Sequence, residues 1–380
     1  MERGPSCTVD IGVGDGDVLK HVFFQTTGMK EIFSKFPSHV MLDCTYCVNN
    51  CLMPLLSFLV IDGNNESRVD GLPLLGNESR EMYETVSGIL KRENECWVNV
   101  KSFMVDKDMN EVSCLEREFP GVPVELCLFH VMKAMKMKIA SLECQKNVKD
   151  ELRDSCAKCC YARTEAEYEK EKERIIGLNA EFGTYFVDNW DSMRERWVQY
   201  SREGTENFSN RTNNRVESYH QKLKSEIPRN APLDVMFRNL LLIVNTLETE
   251  ISHRLFANTM RATPTPFPHL QTILTPHAFR QTVDVYNKSE RLVGDVSGDE
   301  VRIRDGGEEF KVLDGRVYTC KVFVCKRLPC SHILAARRLL QLPVLTEDLF
   351  ENRFRLDYNP NFVGVLKNVT VTQHLPQTEF

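Results

Sequence analysis

The chain has 380 residues, of which 42% are hydrophobic and 27% charged, a composition that excludes global disorder. Its formal net charge is −6, so any contact with nucleic acid requires a local basic face. The sequence shows neither an apolar leader nor an apolar run long enough for a membrane helix. We therefore expect no membrane association, and we expect the fourteen cysteines to bind metal or to be buried.

Predicted strands and helices alternate over the first 140 or so residues, after a polar tail at 1–18 that is expected to be flexible. Strands are predicted at 40–44, 54–61, 68–75, 100–105 and 124–128, and helices at 29–36, from 79, at 109–119 and from 130. This order predicts a mixed α/β sheet with helices on its faces. Asp43 and Asp106 each close a predicted strand, where sites form in open α/β sheets.

The next part of the chain is a strongly helical, charged stretch from about 146 to 202. Apolar residues at helical spacing predict a further buried helix over 233–247. The proline-rich segment 263–268 indicates a boundary. Short strands are then predicted at 301–304 and 310–313, followed by a helix at 333–340.

Two thiols and an imidazole near the C-terminus, Cys320, Cys330 and His332, are typical of a zinc site. With their apolar neighbours they resemble the SWIM zinc finger, whose pattern is Cys-x-Cys, a hairpin of roughly ten residues, then Cys-x-His. Tyr318 occupies the position of the first family ligand. Two interpretations stay open: Cys325 supplies the fourth thiolate, or the finger keeps its shape by apolar packing and binds zinc weakly or not at all.

Three carboxylates, Asp43, Asp106 and Glu217, form a second candidate site. Taken singly, each is an ordinary loop or cap residue. Together they suit two Mg or Mn ions that clamp an in-line phosphoryl transfer.

The sequence around these acids resembles a Mutator-like (MULE) transposase domain over roughly residues 20–250. The resemblance is carried by motifs in the family order: Asp43-x-Thr45-Tyr46-x-x-Asn49, Asp106-Lys107-Asp108, Cys127-x-x-His130 and Asn214-x-x-Glu217-Ser218. The lead-in Phe24-Gln25-Thr26-x-x-Met29 is similar to vertebrate SWIM-domain proteins derived from such transposases.

The resemblance implies an RNase H-like core with Asp43, Asp106 and Glu217 as its acids and with a helical insertion before the last of them. Cys47 stands where the family usually has Lys, and His220 where it usually has Asn. Only ~20 residues precede the match, so the separate DNA-binding head of active transposases is expected to be absent.

The predicted fold is therefore α/β, an RNase H-like mixed sheet with a helical insertion, followed by a small β-rich SWIM zinc-finger module. The expected units are a flexible tail (1–18), an RNase H-like domain (19–258, insertion about 146–210), a linker with connecting strands (259–300), the finger (301–345) and a C-terminal extension (346–380).

Several other groups permit a metal or DNA interpretation beside a plainer one. Cys127 and His130 either support the acidic site or are a buried thiol and a helix-start imidazole. The clusters Cys44-x-x-Cys47 with Cys51 and Cys156-x-x-Cys159-Cys160 lack matching pairs at finger spacing, so we expect no metal there. The lysines at 133, 136 and 138 either line a groove that binds DNA or form the solvent-exposed face of an amphipathic helix.

Two functions follow from these expectations. The first is a transposase-derived nuclear protein that binds zinc and either DNA or a protein partner, with no small-molecule substrate. The second is an active Mg- or Mn-dependent DNA strand-transfer enzyme that uses Asp43, Asp106 and Glu217. Three features favour the transposase-derived binding protein. They are the expected absence of the separate DNA-binding domain, the altered zinc ligand and the negative net charge.

Overall fold

A mixed sheet organises the first third of the chain. The computed structural model describes residues 7–261, 264–313 and 320–362. The strands of the sheet are β1 (Thr8–Val13), β2 (Leu19–Gln25), β3 (His39–Thr45), β4 (Leu55–Ile61), β5 (Ser67–Gly71), β6 (Leu74–Leu75), β7 (Ser102–Val105) and β8 (Val124–Leu126). Their order is β1-β2-β6-β4-β3-β7-β8, and β5 pairs with β4. The mixed α/β prediction is confirmed.

Strand direction explains where the acidic site lies. β3, β7 and β8 are mutually parallel, whereas β4 is antiparallel to β3. The carboxyl ends of parallel strands meet at one edge of a sheet. Asp43 near the end of β3, Asp106 after β7 and Cys127 after β8 therefore come to the same edge.

Four helices follow the strands of this first region: α1 (Thr27–Lys35), α2 (Arg80–Glu93), α3 (Met109–Glu118) and α4 (Leu128–Ser141). The side chains of Thr26, Ser79 and Asp108 cap α1, α2 and α3 by accepting backbone N–H groups of the first turn. Each is a short polar residue just before an apolar periodic segment, which is why the sequence located these helix starts well.

The predicted helical stretch is present as α5 (Lys146–Tyr161), α6 (Glu165–Leu178), α7 (Ala180–Asn189) and α8 (Gln199–Arg202). Trp190 and Trp197 are buried in its core, where the Trp197 indole donates a hydrogen bond of 3.0 Å to the Trp190 carbonyl. Cys156, Cys159 and Cys160 are buried in the same core. Their side chains pack there against the surrounding apolar residues.

The sheet is covered on both faces. α9 (Asn214–Glu226) and α10 (Leu233–Met260) follow the helical region. Val40 and Leu42 of β3 belong to the core that includes α2, α3 and α4, whereas Met41 belongs to the core formed with α9 and α10. This alternation is the period-2 geometry of a strand buried on both sides.

The remaining elements are α11 (Pro268–Ile273), α12 (Pro276–Ser289), β9 (Val293–Ser297), β10 (Glu300–Asp305), β11 (Glu308–Leu313), α13 (Lys321–Lys326) and α14 (Ser331–Leu339). The three strands form a separate antiparallel sheet in the order β11-β10-β9. Val301, Ile303 and Val312 of this sheet pack against Ile333 and Leu334 of α14. The small β-rich module with a Cys/His group is thus confirmed.

The last described segment returns to the large sheet. Arg353 is buried, donates to the Ile61 carbonyl at 2.8 Å, and lies 3.7 Å from the centroid of the Phe208 ring. Gly63 makes room for this segment, because a Cβ there would collide with the Arg353 carbonyl. The extension predicted from 346 is therefore packed against the fold as far as residue 362.

Two sequence expectations were wrong. Residues 8–13 are not part of a loose tail, because they form β1 and pair antiparallel with β2. The segment 259–300 is not mainly linker and strand, since α11 and α12 occupy much of it. Pro268 and Pro276 begin those helices, and proline is favoured in the first helical turn, where its missing N–H costs nothing.

None of the helices within the three described ranges combines the length and the apolar character that crossing a bilayer requires.

Candidate metal centres

The finger group is assembled by α14 and the segment before α13. Cys330 precedes the first residue of α14, His332 lies in its first turn, and Cys320 precedes α13. One ligand atom from each of the three residues lies within 4.8 Å of the others, and all three side chains are buried. Two thiols and an imidazole match the donor set that zinc prefers, so these residues fit the metal.

The imidazole of the finger is held in a fixed orientation. His332 Nδ1 is 3.8 Å from Cys330 Sγ, while Nε2 is 3.1 Å from Asp305 Oδ2. Phe310 stacks on the ring at a centroid distance of 3.8 Å. A carboxylate on the far nitrogen of a ligand histidine is the usual outer shell of a metal site. Asp305 was not identified from the sequence as part of this site, although Asp305, like Asp106, lies at the carboxyl end of a strand.

The two finger thiols titrate differently because they lie together. The neighbouring Cys330 thiol and the His332 ring lower the pKa of Cys320 to about 4, against the effect of burial. The pKa of Cys330 is raised, first by the adjacent Cys320 sulfur and then by burial. The pair therefore holds one thiolate readily, which is the form that binds metal.

Cys325 is not brought to this group. The residues between the finger cysteines form α13 instead of the expected hairpin, which places the Cys325 thiol against the helical region. There it donates to Asn207 Oδ1 at 3.0 Å and accepts from the Ser209 N–H at 3.2 Å. Tyr318, at the position of the first family ligand, lies outside the described residues.

The acids of the large sheet are each accompanied by a histidine. His130 Nδ1 is 2.6 Å from Asp106 Oδ1, and His130 Nε2 is 3.3 Å from Glu217 Oε1. His220 Nδ1 is 3.4 Å from Asp43 Oδ2. Of the two interpretations of His130 that the sequence leaves open, these contacts favour support of the acidic site, and His220 is the residue that departs from the family pattern.

Proton affinity in this cluster follows from the contacts. The Asp106 carboxylate, and after it the Cys127 sulfur, raise the pKa of His130 to about 10. The second imidazole, His220, is buried and its Nε2 lies 3.0 Å from Ser57 Oγ. Without metal, therefore, a protonated His130 neutralises part of the charge of Asp106 and Glu217.

Glu111 is a carboxylate that the sequence did not single out. It lines the same cleft as Asp43 and Asp106, yet it is only 4% exposed. Burial and the negative charges of Asp43 and Asp106 raise its pKa well above the usual range. Among the described residues, its Oε1 has no hydrogen-bond partner. In the sequence, Glu111 is an ordinary acidic residue of the first turn of α3. Its place in the acidic cleft is visible only in the folded structure.

The lysines of α4 divide into two sets. Lys133 and Lys136 are exposed, near the exposed side chains of Phe129 and Met137. Lys138 instead forms an ion pair of 2.7 Å with Glu181.

Across the described chain, Cys44, Cys47 and Cys51 are not part of any group with metal-binding spacing.

A comparison with protein families agrees with this architecture. Residues 1–125 match the family described as zinc finger SWIM domain-containing protein 1/3, RNaseH-like domain. The first third of the chain is thus similar to that RNaseH-like domain. The match includes β1, so the domain begins earlier than residue 19. The Cys320, Cys330 and His332 group agrees with a SWIM finger later in the same chain.

Proposed function

We propose that this chain is a transposase-derived nuclear protein that binds zinc through Cys320, Cys330 and His332. In this proposal the RNase H-like sheet serves as a platform for DNA or a nuclear protein and no longer transfers DNA strands. The observation that carries the proposal is the pairing of every acid of the expected triad with an imidazole.

Strand transfer by two metal ions needs carboxylate oxygens that are free to share the cations. In this protein His130 stands between Asp106 and Glu217, and it contacts both. Each pair would have to separate before a shared Mg or Mn ion could bind. The residues as arranged therefore do not fit the two-ion site, and we derive no reaction step through it.

The enzyme remains the second candidate, because one observation favours it. Asp43 and Asp106 line a cleft to which Glu111 adds a buried carboxylate. Among the described residues, one oxygen of that carboxylate has no hydrogen-bond partner. Hard oxygen ligands of this kind are what Mg or Mn requires.

Titration with Mn separates the two candidates. We expect the wild-type protein to show no saturable Mn binding that depends on Asp43 or Glu217. The matched control is Glu181→Ala, which removes an exposed acid of α7 far along the chain. Mn binding that disappears in Asp43→Ala and Glu217→Ala but survives in Glu181→Ala, together with cleavage of labelled DNA ends, would overturn the proposal.

Binding to DNA would use a local basic face, because the net charge of the chain is −6. Lys133 and Lys136 on the exposed side of α4 are the candidates, with Phe129 beside them for base stacking. Replacing both lysines with glutamate is expected to weaken duplex binding and to lower its salt dependence by about 2 in the log–log slope. If the wild type shows no salt-dependent binding, the partner is a protein.

Nuclear localisation is tested by imaging a fluorescent fusion of the full chain. We expect nuclear signal. A fusion excluded from the nucleus would contradict this part of the proposal without affecting zinc binding.

A further inference from the structure

We infer that Asp106, Cys127 and His130 form a second zinc site, distinct from the finger. Asp106 follows β7, Cys127 follows β8, and His130 lies in the first turn of α4. Since β7 and β8 are parallel neighbours, the three side chains meet at one sheet edge. This inference does not rest on the proposed function.

The ligand atoms are already gathered. One ligand atom from each residue lies within 4.8 Å of the others, as in the finger. His130 Nδ1 is 2.6 Å from Asp106 Oδ1, but within the described residues it has no partner with hydrogen-bond alignment. A cation that both atoms ligate would satisfy this nitrogen, and because tetrahedral zinc ligands at about 2.0–2.2 Å from the ion lie roughly 3.3 Å apart, binding would move the two atoms slightly apart.

The sulfur of Cys127 accepts a backbone hydrogen bond. Cys127 is fully buried, and its Sγ accepts the backbone N–H of Asn213 at 3.1 Å. Hydrogen bonds from backbone N–H groups to sulfur are typical of metal-bound thiolates, whose electron density they tune. The side-chain amide of Asn213 also donates to Asp106 Oδ1 at 3.3 Å, so one buried residue orients two ligands.

The imidazole has the same outer shell as the finger imidazole. In the finger, His332 presents Nδ1 to Cys330 and Nε2 to Asp305. In the second site, His130 presents Nδ1 to Asp106 and Nε2 to Glu217 Oε1 at 3.3 Å. A carboxylate behind a ligand histidine fixes its tautomer and raises its basicity. Glu217 is thereby a positioning residue for the metal.

The donor set selects the class of metal. A thiolate and an imidazole favour zinc, cobalt or another borderline ion over Mg and Mn, which prefer oxygen alone. Three protein ligands leave a fourth position of the tetrahedron for water or for another ligand. Zinc here would also use the Asp106 oxygen that a two-ion Mg site needs.

Zinc content of the full-length protein tests the inference. After equilibration with zinc and removal of loose metal, we expect about two ions per chain in the wild type, about one in Cys330→Ser and about one in Cys127→Ser. Combining the two substitutions should leave none. Cys156→Ser, which alters another buried thiol, is the matched control and should keep both ions.

A milder variant keeps the test decisive where Cys127→Ser fails to fold. In a Cys330→Ser background, cobalt should give the thiolate charge-transfer absorption of a tetrahedral site. Glu217→Gln, which keeps every ligand, is expected to weaken that cobalt binding about 10- to 100-fold. Circular dichroism confirms that each variant is folded.

Three outcomes would overturn the inference: a wild type that holds only the zinc lost in Cys330→Ser, a Cys330→Ser protein without the cobalt absorption, or cobalt affinity unchanged by Glu217→Gln. A wild-type protein that lacks the ion at Asp106, Cys127 and His130 but holds the finger ion would leave the finger proposal intact. A wild-type protein that lacks only the finger ion would instead refute the zinc part of the proposed function.

Discussion

Asp70 offers a quantitative test of the buried electrostatics of the large sheet. It lies on β5, is fully buried, and within the described chain neither of its carboxylate oxygens has a hydrogen-bond partner. Burial raises its pKa from 3.8 to about 8. The folded state therefore holds a proton that the unfolded chain releases near pH 4, and stability should fall as pH rises between these values.

The expected slope is up to roughly 1.4 kcal/mol per pH unit, so the loss accumulates to about 5 kcal/mol by pH 8 and then levels off. Asp70→Asn has the same shape and no titration. We expect it to match the wild type near pH 4 and to be several kcal/mol more stable near pH 8.

The assay is urea unfolding followed by circular dichroism across this pH range. Asp234→Asn, which alters an exposed acid of α10, is the control and should keep the wild-type slope. If Asp70→Asn shows the same pH dependence as the wild type, then Asp70 is ionised in the folded protein and the reasoning is wrong.

Four further substitutions test other parts of the fold. Cys330→Ser should release one zinc and lower the melting temperature, whereas Cys325→Ala should keep the zinc content of the wild type; equal losses in metal analysis would restore Cys325 as a ligand. Asp62→Ala should destabilise by about 3–5 kcal/mol, because it leaves the buried Arg68 guanidinium, 3.2 Å away, with less counter-charge; a change under ~1 kcal/mol in urea unfolding would contradict this. Trp197→Ala should cost about 3–5 kcal/mol through the cavity it opens, and calorimetry showing an unchanged helical-region transition would refute that packing.

The acidic edge of the sheet was predictable because its signals are local. Asp43 and Asp106 each follow a run of apolar residues, and strand ends gather at one edge of such a sheet. The contacts of His130 with Asp106 and Glu217 were not predictable in the same way. They join residues of β7, α4 and α9, and their geometry depends on how α9 packs across the sheet.

The first strand was missed for a compositional reason. Val9, Ile11 and Val13 alternate with polar residues, which is a strand pattern, but the glycines and aspartates around them indicated a tail. These three side chains point to solvent, at 57%, 59% and 57% exposure, so no buried apolar run marks the strand. β1 is held by its backbone pairing with β2 and by side-chain contacts of Thr8 with Glu93 and of Asp10 with His21, none of which a residue pattern displays.

The structure places Cys325 away from the finger group, and sequence spacing could not show this because it does not give the direction of a side chain. It lies midway between Cys320 and Cys330, which made it a reasonable ligand. The intervening residues form a helical turn, which carries its thiol to Asn207. Spacing thus identified the group of Cys320, Cys330 and His332 and could not decide its fourth member.

The docking of Arg353 constrains the order in which the protein can be completed during synthesis. Its guanidinium occupies a slot beside the Ile61 carbonyl and the Phe208 ring, in a region that leaves the ribosome long before Arg353 does. That slot stays open until residue 353 has been translated. The finger therefore lies between two stretches of chain that both pack on the large sheet. Both of its ends are anchored to the rest of the fold.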